Sequence, residues 1–156
     1  MTVQVGDVHG VSVRPLRSVP NERGVLMEVA RVDDEWFPGF GQVYVTTTRP
    51  GVVKAWYRHR EQVDTIALVR GTVVLGIHDD RQGSPTRGTT QIVAMDEEHP
   101  QLVVVPPMVW HGFQAGPDGD ALLLHVNSAA FVFDDPDEER RPFDDVHLPA
   151  IWSIEV

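Results

Sequence analysis

The feature that most constrains this chain is a series of short stretches rich in Val, Ile, Leu and Thr, each ended by turn-forming residues. Gly51 to Trp56, Thr65 to Ile77, Thr89 to Met95, Gln101 to Val105 and Ala121 to Val126 have the composition of strands. Arg49-Pro50-Gly51, the run from Asp79 to Pro85, Glu98-His99-Pro100, Pro106-Pro107 and the run from Gly116 to Asp120 separate them as turns or loops. No window carries a sustained apolar stripe at helical spacing with a capping signal, and only Pro136 to Arg141 reads as a short acidic turn of helix. Many short strands with turns at close intervals predict an all-β barrel or sandwich with a ligand pocket in its mouth.

A length of 156 residues suits one continuous core, so residues 1–156 are expected to form a single domain. Cysteine is absent, which excludes disulfides and thiolate metal sites. A net charge of −10 argues against a nucleic-acid groove, because phosphate backbones are held by Lys/Arg patches. No cationic leader and no long apolar run is present, so a cytoplasmic protein with no membrane partner is expected. A small anionic ligand needs only a local group of cations, and Lys54, Arg58 and Arg60 supply one. The acidic run Asp134 to Glu139 reads as a solvated surface.

The segment Gly51-Val52-Val53-Lys54-Ala55-Trp56-Tyr57-Arg58-His59-Arg60-Glu61-Gln62-Val63-Asp64, closed by Gly71, has the spacing of the first sequence motif of the cupins. Pro106-Pro107-Met108-Val109-Trp110-His111 resembles the second, with Met108 where glycine is usual. The resemblance implies a double-stranded β-helix, the jelly-roll barrel of that superfamily. Residues two apart on a strand share a face, so Tyr57 and His59 point the same way. Inward is the better orientation, since the reverse would turn Arg58 into the core. Lys54 has the opposite parity and reaches the same pocket only through a bulge. The positions that carry metal in many cupins hold Tyr57, His59, Asp64 and His111. No metal or other cofactor is expected; were an ion bound, His59, Asp64 and His111 would be its ligands.

Over nearly its full length the chain also resembles the dTDP-4-dehydrorhamnose 3,5-epimerase family, a metal-free branch of the cupins. The resemblance is carried by Asn21-Glu22-Arg23-Gly24 with Glu28, by Gln42, by Lys54-Ala55-Trp56-Tyr57 in place of the family's Arg-Gly-Leu-His, and by Val69-Arg70-Gly71. It continues through Asp79-Asp80-Arg81 with Ser84-Pro85-Thr86, through Trp110-His111-Gly112-Phe113, and through Asp145-Val146-His147-Leu148 with Trp152. It implies a nucleotide-sugar epimerase or isomerase that moves protons next to the C4 ketone of a 4-keto-6-deoxy sugar. It also implies a dTDP-sugar or related substrate, and a homodimer in which N-terminal strands, here Thr2 to Val5 and Val11 to Val13, extend a neighbour's sheet.

In the family an aspartate-oriented histidine is the base and a tyrosine the acid. The base position holds Tyr57, the lysine position holds Asp64, the acid position holds His125, and Phe131 stands where a second tyrosine is common. A phenol of pKa about 10 is only about a thousandth ionised at pH 7, a deficit of roughly 4 kcal/mol for a base. His59 or His125 could therefore take the role that Tyr57 has lost. Tyr57, His59, His111, His125 and Asp145 are the expected catalytic residues, and Arg23, Glu28, Gln42, Lys54 and Asp64 the expected substrate-binding ones. Trp56, Trp110, Phe113 and Trp152 read as packing. Other readings stay open at this point: a diverged cupin acting as a cyclase or dehydratase, a non-catalytic binder, and a metal-dependent enzyme.

Overall fold

Apolar stretches cut by turns fold here into strands that bury one face. The computed structural model describes residues 3–152. Among the described residues there is no helix, and the strands are β1 (Gln4–Val5), β2 (Ser12–Pro15), β3 (Arg17–Asn21), β4 (Gly24–Glu28), β5 (Gln42–Thr48), β6 (Val53–His59), β7 (Asp64–Arg70), β8 (Thr72–His78), β9 (Thr89–Asp96), β10 (Gln101–Val105), β11 (Trp110–Ala115), β12 (Ala121–Asn127) and β13 (Glu138–Arg140). One sheet runs β1-β9-β8-β11-β6-β13, the facing sheet runs β2-β10-β7-β12-β5, and β3–β4 is a separate hairpin. Ile66, Leu68 and Leu123 from one sheet meet Val73, Leu75, Ile77 and Phe113 from the other in the central core. The chain is thus an all-β double-stranded β-helix of the jelly-roll or cupin kind. Its two sheets face each other without closing into a continuous barrel, the sandwich form among the two that strand spacing predicts.

Several boundaries differ from the sequence expectation for physical reasons. Thr65 to Ile77 is two strands, broken at Gly71, whose φ of 86° suits glycine and whose absent Cβ would lie 2.8 Å from the Asp120 carbonyl oxygen. The helical turn expected at Pro136 to Arg141 is instead β13, which pairs antiparallel with β6 along the edge of the six-stranded sheet. Inter-strand hydrogen bonds satisfy this segment's backbone where a single helical turn would leave most of it unpaired. The N-terminal segments pair within their own chain: β1 lies parallel to β9 and β2 antiparallel to β10. Thr2 lies outside the described residues.

The outer face of the six-stranded sheet is covered by the C-terminal segment. Trp56 and Trp110 are fully buried there with Leu148, and Ile151 and Trp152 pack against them. Gly76 provides the seat, because a Cβ at that position would lie 2.3 Å from Ile151 Cδ1. These rings serve packing, as their sequence context suggested.

Candidate active site

The chain concentrates chemistry at one end of the space between the sheets. From the six-stranded sheet, β6 contributes Lys54, Tyr57 and His59 to a cavity of about 210 Å³, and β11 contributes His111 and Phe113. The five-stranded sheet adds Tyr44 and Thr46 from β5, Asp64 and Ile66 from β7, and His125 from β12. Glu138 and Arg140 of β13 complete the wall.

A bulge places Lys54 there. Tyr57 lies opposite His111 while Lys54 lies opposite Phe113, so three steps along β6 match two along β11, and Lys54 and Tyr57 come onto one face. The glycine of the His111-Gly112-Phe113 motif accommodates the extra residue, since a Cβ at Gly112 would lie 2.3 Å from the Ala55 Cβ. Met108 occupies the usual glycine position of the second motif at φ 62°, a left-handed conformation that costs a residue with a side chain about 1–2 kcal/mol. Its backbone N–H donates to the His59 carbonyl at 2.7 Å, tying the turn before β11 to the end of β6.

The centre of the site is a carboxylate between two imidazoles. Asp64 Oδ2 lies 2.9 Å from His111 Nε2 and 3.3 Å from His59 Nε2, and Gln62 Nε2 donates to Asp64 Oδ1 at 2.6 Å. All four residues are buried. His111 Nδ1 donates to the Val109 carbonyl at 3.0 Å, so both of its nitrogens are engaged, whereas only Nε2 of His59 has a partner among the described residues. Burial works against the charged forms here, and hydrogen bonding outweighs it. Bonds from His111 and His59 hold the Asp64 carboxyl well below the usual carboxylate range, and Asp64 raises His59 above the ordinary histidine value.

The opposite wall behaves differently. His125 stacks on Tyr44 with ring centroids 4.6 Å apart and planes 11° apart. Its Nε2 bonds Thr46 Oγ1 at 3.1 Å, and its buried Nδ1 has no partner among the described residues. Burial pushes His125 down to about 4 and the Tyr44 phenol up to about 12, so both groups are neutral near pH 7.

Six expected site residues of one class or the other, Lys54, Tyr57, His59, Asp64, His111 and His125, therefore converge. Gln42 lines an adjoining space of about 290 Å³, shared with Tyr44, His59, Phe131 and Arg140, and accepts the Phe131 N–H at 2.6 Å. Three residues lie elsewhere. Arg23 is at the exposed turn of the β3–β4 hairpin, and Glu28, at the end of β4, lines a groove with Arg17 and Trp36. Asp145 caps the chain after β13, accepting from the His147 N–H at 2.8 Å and pairing with Arg141.

The expected cation cluster does not form. Arg58 points away from the cavity, over the Trp110 ring at 4.5 Å, and pairs with Asp80 and Glu139, while Arg60 pairs with Asp135 and Asp137. Lys54 stays at the cavity, donating to the Thr47 carbonyl at 2.9 Å, and is joined by Arg140, whose guanidinium lies 5.5 Å over the Tyr57 ring. Sequence reasoning missed Tyr44, Thr46, Glu138 and Arg140. The alternation of Gln42, Tyr44, Thr46 and Thr48 in β5 was the available signal for the first two. The acidic run is also less solvated than its charge suggested: Asp137 accepts the backbone N–H groups of Arg60, Glu61 and Gln62 at 3.1, 3.1 and 2.9 Å, fixing the turn between His59 and Asp64.

The sequence model of the dTDP-4-dehydrorhamnose 3,5-epimerase family matches residues 6–156. A Haloferax volcanii protein described as a "probable low-salt glycan biosynthesis epimerase" is 40% identical over 152 residues, covering 96% of this chain and 97% of its own. A spore coat polysaccharide biosynthesis protein of Bacillus subtilis is 30% identical, covering 95% of this chain and 98% of its own. Among solved structures, a dTDP sugar isomerase from Desulfovibrio desulfuricans superposes with a TM-score of 0.88 at 32% identity, covering 93% of this chain and 92% of the other.

Proposed function

This chain belongs to the dTDP-4-dehydrorhamnose 3,5-epimerase family, and from that premise we propose that it inverts a carbon next to the ketone of a 4-keto-6-deoxy nucleotide sugar with His59 as the base. The observation that carries this reading is the His59–Asp64 pair: a buried carboxylate 3.3 Å from Nε2 orients the ring and stabilises its protonated form, and leaves Nδ1 to take a proton. His59 thereby performs, two residues along β6, the task of the histidine that Tyr57 replaces. His125, neutral down to about pH 4, with Nε2 bonded to Thr46 and Nδ1 buried, is a poor base, so a direct exchange of acid and base between Tyr57 and His125 is the weaker reading.

Inversion requires that the proton return from the other face. Tyr44, on the facing sheet and kept protonated by burial, is the donor of this proposal, and Tyr57 beside Arg140 binds the ketone or developing enolate oxygen. His111, held by Asp64 and Val109, keeps the carboxylate in place. Lys54 and Arg140 neutralise the diphosphate, and the space beside Gln42 and Phe131 receives the nucleoside.

The working unit of the proposal is a cytoplasmic homodimer. The hairpin β3–β4 exposes Val25 and Leu26, and the edge strand β5 exposes Val43 and Val45, surfaces of the kind a second copy covers. Arg23 and Glu28 ride on that hairpin and would reach substrate in the partner rather than in their own chain.

Proton exchange tests the reading. With a dTDP-4-keto-6-deoxyhexose in D₂O, deuterium enters at C3 or C5 and an epimer accumulates; no incorporation at high enzyme concentration would refute it.

A further inference from the structure

We propose that Arg58, which points away from the cavity, is a positioning residue for the wall that β13 supplies: paired with Glu139, it holds that strand in the register that turns Arg140 onto Tyr57. The role rests on the function proposed above, in which Arg140 neutralises the diphosphate. Tyr57 lies opposite Arg140, Arg58 opposite Glu139 and His59 opposite Glu138. The first and last of these pairs face the cavity, and the middle one faces out. On the cavity side the Arg140 guanidinium lies 5.5 Å over the Tyr57 ring. On the outer side Arg58 Nη2 lies 2.7 Å from Glu139 Oε2, and Arg58 Nε donates to the same oxygen at 2.9 Å.

The sequence of β13 specifies this register weakly by itself. The strand is three residues long and lies at a sheet edge, and a shift by one residue would turn Glu138 and Arg140 out and bring Glu139 into the cavity. The run Glu138-Glu139-Arg140-Arg141 presents almost the same charges after that shift, because Glu138 would then face Arg58. Backbone groups pair in either register, so side chains must decide. Asp137 pins the entry to the strand by accepting the backbone N–H groups of Arg60, Glu61 and Gln62. Two residues on, Arg58 holds Glu139 to the outer face. Arg58 is itself fixed by contacts outside β13: Nη1 donates to Asp80 Oδ1 at 3.2 Å, and the guanidinium lies 4.5 Å over the Trp110 ring, whose Nε1 donates to Asp80 Oδ2 at 3.0 Å. Its side chain is only 18% exposed, so the pair is better shielded from water than an ordinary surface ion pair.

NMR on the full chain reads the register without substrate, through the nuclear Overhauser contact between the Tyr57 ring and the Arg140 side chain. That contact is expected in the unaltered protein and should disappear in Arg58→Gln and in Glu139→Ala. With a dTDP-4-keto-6-deoxyhexose, both variants should raise KM about tenfold with kcat little changed, and Arg58→Lys, which keeps the charge, should recover most of the loss. Adding Arg58→Gln to Arg140→Gln should cost nothing further, because Arg58 acts through Arg140. Arg31→Gln, which breaks the exposed Arg31–Asp33 pair outside the cavity, should change neither the contact nor KM. If Arg58→Gln folds poorly, the more exposed Glu139 position decides alone. A Tyr57–Arg140 contact that survives in the folded variants, or additive effects of Arg58→Gln and Arg140→Gln on KM, overturns the proposal. The contact is read without substrate and deuterium exchange on the unaltered chain, so the register and the epimerase reading can each fail alone.

Discussion

The cavity has two walls that each bury a histidine, and they treat it in opposite ways. His59 and His125 are 9% and 5% exposed, so the degree of burial does not separate them. What separates them is a carboxylate. Asp64 lies against His59 and raises its pKa despite the burial, whereas His125 has a hydroxyl, a phenol ring and the Phe113 ring beside it and falls to about 4. One imidazole can therefore exchange a proton near neutrality, and the other stays an uncharged, stacked ring. The residue type alone does not name the base; its partner does.

Removing the carboxylate should erase the difference. Asp64→Asn is expected to lower turnover by about 10³-fold, within the range for loss of acid–base catalysis, and to destabilise the fold by about 3 kcal/mol because it disrupts a buried charged network. Steady-state kinetics and urea unfolding read the two effects. Asp64 is depressed, so its contribution is present above the unfolded value near 3.9 and is lost as the pH falls through its folded value. His59 is raised, so its contribution is present below the unfolded value near 6.5 and is lost as the pH rises through its folded value.

Tyr44→Phe separates proton removal from proton return. It should cut epimer formation by about 100-fold while deuterium exchange at the substrate carbon persists, as NMR of the recovered sugar would show. Loss of both together would move the donor role away from Tyr44.

His125→Phe sharpens the other wall. As the pH falls from 6.5 toward 4 the unfolded chain takes a proton that folded His125 refuses, so the wild-type protein loses roughly 3 kcal/mol across that window. The phenylalanine variant should lack this loss in pH-dependent unfolding and keep more activity than Asp64→Asn. The smallest expected effect is Lys54→Met, which should raise KM about tenfold with kcat little changed, because Lys54 is proposed to hold the diphosphate in ground and transition states alike.

How far the sequence disclosed this site depended on whether strand parity held. Tyr57 and His59 share the inward face and Arg58 points outward, as alternation requires. Lys54 reaches the cavity only because β6 bulges, and that bulge depends on glycine at 112 in a distant strand. The carboxylate at Asp64 was visible as a motif position, but its contact with both histidines arises from the packing of two sheets. Tyr44 went unnoticed because β5 carries no motif and its role comes from stacking on His125, 81 residues along the chain. The acidic run misled for another reason: charge repulsion predicted a solvated surface, yet Asp137 is consumed by three backbone donors and β13 gains its pairing from β6. The five strands read from composition were located correctly, apart from their ends and the break at Gly71.

A titration of the imidazole nitrogens by ¹⁵N NMR tests the contrast between the walls most directly. His59 should gain its proton at a pH above 6.5, while His125 stays neutral until about pH 4. A His125 that charges at pH 6 or higher, or a His59 that titrates below it, would contradict the assignment of the base.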